Sequence, residues 1–201
     1  MCEITKCSGC NRLCKHAKLA PGDNWIYTKS HDNSARFVLG EKGSNPLICF
    51  GINPSTAEPG NLDPTLIQVR NRAKAMGYDG WVMLNVYPQR STNPKKLHKN
   101  RVLVLHSMNL VQIMQYFNKL NITRVTVLAA WGTMIEVRPW LKDCLLSISL
   151  GIKELDIDVH WVSIGNLSKQ GHPHHPLYLK KDAMVESFDL SNYVIDLFKK
   201  G

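Results

Sequence analysis

The sequence predicts an α/β protein, a three-layer α-β-α sandwich built on a central four-stranded parallel sheet. Three observations lead there: four apolar runs have the length of strands, each run is continuous rather than alternating, and segments of helical spacing separate them. A continuous apolar run implies a strand covered on both faces, and strand-helix alternation connects such strands in parallel. The 201 residues suit one compact domain with a short appendage.

The first run, Leu47-Ile48-Cys49-Phe50-Gly51-Ile52, ends at Asn53-Pro54, where a proline cannot continue a ladder. Pro64 to Met76 then repeats apolar residues at helical spacing. Trp81 to Val86 is the second strand and Val102 to Leu120 the second helix. Val125 to Trp131 is the third strand, followed by a helix over Thr133 to Leu141. Val159 to Ile164 is the fourth, and Asp182 to Lys199 supplies the closing helix. Cys49 and Cys144 stand alone in apolar stretches, where a thiol acts as a small hydrophobe. Residues 24–201 make up this domain, and residues 1–23 form a separate cysteine-rich arm.

Hydrophobic residues at 44% and charged residues at 20% are ordinary for a globular chain. No apolar run approaches the ~20 residues that span a bilayer. The polar, cysteine-bearing N-terminus lacks the apolar segment of a secretory signal. A membrane protein, a collagen-like fibre and a wholly disordered chain are excluded, and a cytoplasmic location is expected. Lys and Arg number 25 against 16 Asp and Glu, a net charge of +9. Such an excess favours a polyanionic partner, because each cation set on a phosphate releases counterions.

Four of the six cysteines, Cys2, Cys7, Cys10 and Cys14, lie in the arm. Two thiolates two residues apart, Cys7 and Cys10, can grip one metal from a tight turn at Gly9. Cys2 and Cys14 complete a zinc set, or His16 replaces one of them; four thiolates also suit an iron–sulfur cluster. The alternative is a reduced, metal-free tail. A structural zinc is the preferred reading, and no cofactor is expected for catalysis.

In an open parallel sheet the ligand site lies outside the carboxyl ends of the strands. The segments leaving the four runs are rich in Asn, His, Ser, Thr and aromatic residues. Asn53 ends the first and Asn85 the second, and a carboxamide both donates and accepts, as a nucleobase edge does. Either amide can equally cap a loop. Gly171-His172-Pro173-His174-His175-Pro176-Leu177-Tyr178 is the densest histidine cluster; an imidazole there can stabilise charge on a leaving group. Arg90, Lys95, Lys96, Lys99 and Arg101 form one basic loop, and Lys169, Lys180 and Lys181 flank the histidines. Together they suit a phosphate-lined groove, or else a solvated basic face.

These residues resemble the uracil-DNA glycosylase superfamily over roughly residues 46 to 181. Phe50-Gly51-Ile52-Asn53-Pro54 is similar to the first motif of its mismatch-specific uracil/thymine branch. Gly80 to Asn85 resembles the strand whose terminal Asn reads the pyrimidine edge, Val127 to Gly132 the apolar strand ending in Trp-Gly, and His172 or His175 with Pro176-Leu177 the last motif. Asn53-Pro54-Ser55-Thr56-Ala57, with His175-Pro176-Leu177-Tyr178-Leu179, also resembles an uncharacterised family of bacterial and phage proteins.

The resemblance implies a monofunctional DNA glycosylase, acting as a monomer on DNA without an obligate protein partner. Asn53 would position the water, His175 or His172 would stabilise charge on the base, and Asn85 would bond the flipped base. Gly51, Ile52, Ser55, Tyr87 and Trp131 would complete the base pocket, with Tyr87 stacking. Arg90, Lys95, Lys96, Lys169, Leu177, Tyr178 and Lys180 would meet DNA, Leu177 as the wedge filling the gap left by the base. The most active branch has Asp at Asn53 and a bulky Tyr at Ser55. A small Ser55 leaves room at pyrimidine C5, implying a modified base such as glucosylated hydroxymethylcytosine in phage DNA, a substrate suited to anti-phage defence. An inactive nucleic-acid-binding protein of the same fold and a nucleoside or nucleotide hydrolase are the alternatives.

Overall fold

A computed structural model describes residues 24–179 and 182–199. Seven strands form one sheet in the order β1-β2-β4-β3-β5-β6-β7. They are β1 (Trp25–Lys29), β2 (Arg36–Glu41), β3 (Pro46–Gly51), β4 (Gly80–Asn85), β5 (Arg124–Ala129), β6 (Asp158–Ile164) and β7 (Val185–Ser187). The helices are α1 (Pro64–Ala75), α2 (Leu103–Asn118), α3 (Leu141–Lys153) and α4 (Leu190–Lys199). The wholly parallel four-stranded sheet expected from sequence is corrected to a mixed sheet. β3 pairs parallel with β4 and β5, and β5 with β6, while β2 on one side and β7 on the other join antiparallel.

β3 and β4 are buried along their whole length, as continuous apolar runs require. Side chains alternate between the two faces. Leu47, Cys49, Trp81 and Met83 meet Leu66, Val69 and Ala73 of α1. Ile48, Phe50, Val82 and Leu84 face the other way, in the core with Ile113 and Phe117 of α2, Leu145 and Ile148 of α3 and Leu197 of α4. Helix α1 starts where the Asp63 side chain accepts from the Leu66 amide and Pro64 stands in the first turn. It stops at Gly77, which adopts φ +83°. Among the described residues, no helix is long and apolar enough to cross a membrane.

Two expected helices are revised. Thr133 to Leu141 is a 3₁₀ segment, Gly132–Glu136, and the α-helix starts only at Leu141. Pro139 restricts Arg138 to extended backbone or a turn, and helical spacing resumes beyond it at Leu141, Cys144, Leu145, Ile148 and Ile152. Asp182 to Lys199 divides into the edge strand β7 and α4. The β1–β2 hairpin is a further departure from the sequence expectation, although its turn residues His31-Asp32-Asn33-Ser34 are a recognisable hairpin signal.

The β2–β4 contact permits no side chain at Gly40: a Cβ there would overlap the Trp81 carbonyl and lie 2.8 Å from Val82 Cα. Because both neighbours are backbone, Gly40→Ala is expected to cost about 3 kcal/mol of unfolding free energy in denaturant titration, with strand β4 forced away from β2.

Candidate functional site

A cleft of about 470 Å³ opens at the carboxyl ends of β3 and β5, the edge where such sheets place ligands. Asn53, just beyond β3, borders it. Its Nδ2 donates to the carbonyls of Ser91 at 2.8 Å and Pro54 at 2.9 Å, with the Gln89 carbonyl at 3.4 Å. Converging carbonyls can receive only the NH₂ end of the amide, so the carboxamide orientation is set and Oδ1 remains as an acceptor. That oxygen can hold a water by one of its protons. An amide is no base at neutral pH, so it cannot remove that proton.

Asn85 ends β4, paired in register with Gly51 of β3. Its side chain is wholly buried, and neither Oδ1 nor Nδ2 has a partner among the described residues. Asn109 of α2 holds the backbone there, donating from Nδ2 to the Asn85 carbonyl at 2.9 Å. A Cβ on Gly51 would stand 3.2 Å from Asn85 Oδ1 and would overlap Cε of Met83. Gly51 and Met83 both border the cleft, while Asn85, fully buried behind them, does not. Glycine therefore lets the strand pass close over the Asn85 amide, with the flexible Met83 tip beside it. Leaving a buried polar group unbonded costs roughly 1–3 kcal/mol, which a ligand supplying a donor and an acceptor would offset.

The two candidate histidines separate cleanly. His172 is fully buried and bonded at both ring nitrogens. Trp131 Nε1 donates to Tyr193 Oη at 3.0 Å, which donates to His172 Nδ1 at 2.8 Å, and His172 Nε2 donates to Glu136 at 3.0 Å. The other tautomer would aim a lone pair at the carboxylate. His172 thus ties the end of β5, the 3₁₀ segment and α4 to the loop beneath His175. His175 borders the cleft. Its Nδ1 accepts from the Leu177 amide at 3.4 Å, which leaves the proton of the neutral ring on Nε2. Burial pushes its pKa below the ordinary value, with Asp63 acting in the opposite sense.

Ile52 and Ser55 border the cleft, as do Leu177 and Tyr178, which are 42% and 81% exposed. Tyr87 does not: its ring packs on Trp140 and His98 in the opposite core, and its hydroxyl bonds His98 Nδ1 at 2.9 Å. The stacking role is thereby corrected. Trp131 borders the cleft, but its indole is packed among Trp161, Phe188 and Tyr193. Arg90 is likewise corrected from DNA contact to internal clamp. Its guanidinium donates to the Ser55 carbonyl at 2.7 Å and Tyr27 Oη at 2.7 Å, and pairs with Glu58 at 3.4 Å. Lys95, Lys96 and Lys169 are exposed. Lys180 and the cysteines Cys2, Cys7, Cys10 and Cys14 lie outside the described residues; among those described, no group of three metal-binding side chains occurs.

One cleft residue is not evident from residue type. Arg36 of β2 is 2% exposed, borders the cleft, and donates from Nη1 to the Ala57 carbonyl at 3.0 Å, while its Nε has no partner. The signal that could have found it is a cation inside the apolar stretch Ala35-Arg36-Phe37-Val38-Leu39.

Residues 36–177 match a protein family described as a protein of unknown function, DUF1643. The chain belongs to this family. The match runs from Arg36 to Leu177, both on the cleft, so the DUF1643 region encloses Asn53, Asn85 and His175 together. No curated protein and no solved structure matches the chain.

These environments have two measurable consequences. By NMR titration, His175 is expected to protonate below the usual 6.5. The unfolded chain then binds this proton first, so the group contributes a loss of stability as pH falls below ~6.5 and none well above it. In Asn53→Asp, a carboxylate would face the three carbonyls that now accept from the amide. The variant is expected to lose about 2–3 kcal/mol near neutral pH and to recover part of it in acid, where the protonated carboxyl can donate; calorimetry across pH reads this directly.

Proposed function

We propose that this protein is a DNA glycosylase of the uracil-DNA glycosylase superfamily, one that flips a pyrimidine from the stack and hydrolyses its N-glycosidic bond to leave an abasic site. The observation that carries the proposal is the unbonded, buried carboxamide of Asn85 beside Gly51. A pyrimidine edge presents a donor and an acceptor side by side, which a carboxamide matches. The parallel pairing of β4, β3, β5 and β6 supplies the open α/β sheet, with its ligand cleft at the strand ends, that this reading needs.

The chemistry fits the groups available. Asn53 Oδ1 holds a water but cannot deprotonate it, so departure of the base leads the reaction. As the bond from the sugar to the base nitrogen breaks, its electron pair goes to the base. The Nε2 proton of neutral His175 stabilises the charge growing on the base oxygen; the water oxygen then bonds the sugar carbon and gives its proton to solvent, while the departed base anion takes a proton from solvent. The Met83 tip moves aside to bring the base edge to Asn85. Ser55 is small enough to admit a substituent at C5, and Leu177 is exposed at the rim as a wedge into the vacated stack. Exposed Lys95, Lys96 and Lys169 supply phosphate contacts.

The amide in place of a carboxylate at Asn53 favours a second reading, a nucleic-acid-binding protein without hydrolysis. Base release separates the two. Single- and double-stranded DNAs carrying uracil, mismatched thymine, 5-hydroxymethylcytosine or its glucosylated forms are incubated and abasic sites revealed by alkali. Release of one base, reduced at least about 100-fold in Asn53→Ala with DNA binding retained, is expected; tight, salt-sensitive binding without release of any base selects the second reading. Lys95→Glu with Lys96→Glu is expected to weaken binding and flatten its salt dependence, by roughly one unit of slope for each phosphate no longer neutralised. Free nucleosides cleaved without salt-dependent DNA affinity would point to a nucleoside hydrolase instead.

A further inference from the structure

Arg36 presents an unusual arrangement for a cleft wall. A guanidinium is almost never buried without a carboxylate partner, yet none lies within 4.0 Å of Arg36 among the described residues. Its Nε is enclosed and unbonded, and its guanidinium is held by the bond from Nη1 to the Ala57 carbonyl. Burial and the neighbouring Arg90 both push its pKa down, to about 10, still far above neutral, so the cation persists. Asp63 borders the same cleft and acts on Arg36 through space without touching it. One carboxylate oxygen of Asp63 caps α1 by accepting from the Leu66 amide at 2.9 Å; that cap uses only half of the carboxylate.

A cation with donors to spare and a carboxylate with an oxygen to spare, on one cleft and out of mutual contact, match a group that accepts from the first and donates to the second. A hydroxyl does both. A methyl group does neither, and an anion would satisfy Arg36 while being repelled by Asp63. Arg36 is close in the fold to Ser55: it bonds the Ala57 carbonyl, and Arg90 bonds both the Ser55 carbonyl at 2.7 Å and the Ala57 carbonyl at 3.3 Å. Ser55 and Asp63 border the same cleft, and Ser55 is the position that leaves space at pyrimidine C5.

We infer that Arg36 and Asp63 form a specificity subsite for a hydroxyl-bearing substituent on C5 of the bound pyrimidine, with Arg36 donating to the hydroxyl oxygen and Asp63 accepting its proton. This rests on reading the cleft as a pyrimidine pocket. The cost of an unmet buried charge then works as selection: a base lacking the hydroxyl leaves Arg36 and Asp63 unpaired, and a site built to hydrogen-bond a group rejects the analogue without it.

The test measures binding, so that it does not depend on hydrolysis. Fluorescence anisotropy is read with DNAs carrying one 2′-fluorinated nucleotide, which resists base loss, as cytosine, 5-methylcytosine or 5-hydroxymethylcytosine. The hydroxymethyl base is expected to bind at least about tenfold tighter than the methyl base, the scale of one hydrogen bond to a charged group. In Asp63→Asn the helix cap is kept, because Asn caps as well as Asp, while an N–H replaces the spare oxygen; the affinity ratio is expected to fall toward one. Arg36→Lys keeps the charge but not the reach of the fork, and is expected to lower the ratio too, with a thermal melt checking that it is folded. Equal affinity of wild type for the methyl and hydroxymethyl bases overturns the inference, as does a ratio unchanged in folded Asp63→Asn. Base release from the corresponding deoxy substrates is scored separately, so loss of the glycosylase reading is visible as absent release even where the binding preference holds.

Discussion

Parallel pairing in register between β3 and its neighbours β4 and β5 governs where every polar group of the cleft falls. Gly51 stands opposite Asn85, and Phe50 opposite Ala129, so the strands run out along nearly one line. Hydrophobic burial on both faces of these strands holds that register, because a slip of one residue would turn Ile48, Phe50, Val82 and Leu84 out of one core and into the other. The strand ends are therefore rigid, and the loops beyond them converge on a common space. The absence of a side chain at Gly51 is part of the same constraint, since it is what lets Met83 and the Asn85 amide crowd beneath β3.

Around that edge, buried Arg36 and the half-buried Arg90, Arg138 and Asn53 hold the loops by their carbonyl oxygens. Arg90 gathers the carbonyls of Ser55 and Ala57, Arg36 takes Ala57 again, and Asn53 binds Pro54 and Ser91. Arg138 does the same for the neighbouring loop, bonding the carbonyls of Lys95, Leu97 and His98. Loops carry unpaired backbone groups that must be satisfied when they are packed inward. Supplying the donors from side chains fixes the loop shape without lengthening the sheet, and it leaves Asn53 Oδ1 with only one way to face. The same division of labour runs through the histidines: His172 is consumed in holding the scaffold, so that His175, three residues on, can remain uncommitted at Nε2.

The four parallel strands were legible in the sequence because each carries a run of buried apolar residues, complete in β3 and β4 and confined to the carboxyl-terminal part in β5 and β6. The three antiparallel strands were not: β1 and β7 are the sheet's edges, and β2 lies between β1 and β4. β7 has only three residues, all exposed, and β2 opens on Arg36 and ends on Gly40-Glu41, so neither reads as a continuous apolar run; Trp25-Ile26-Tyr27-Thr28 of β1 has strand-type residues, and only its pairing with β2 shows where it belongs. The start of α3 is obscured for a local reason, Pro139, whose effect outweighs the helical spacing around it. At the site, residue type pointed to Asn53, Asn85 and the histidine cluster, and the resemblance to Ser55 and Leu177; of these Asn53, Ser55, His175 and Leu177 border the cleft while Asn85 lies buried behind it, and type could not separate His175 from His172, nor a clamp such as Arg90 from a surface cation.

What the sequence alone determined is the α/β class, the positions of the four parallel strands β3 to β6 and the polar residues in the segments that follow them, because these depend on periodicity and on the order of elements along the chain. What only the tertiary structure decided is which of those polar groups are already bonded. Both ends of the Asn85 carboxamide and Nε of Arg36, on the cleft wall, lack partners among the described residues, while Tyr87, Arg90 and His172 are held off the cleft by partners found at residues 98, 58 and 136. Hydrogen-bond satisfaction is a property of three-dimensional neighbourhoods, and residues 11 to 36 positions apart meet only when the sheet has closed.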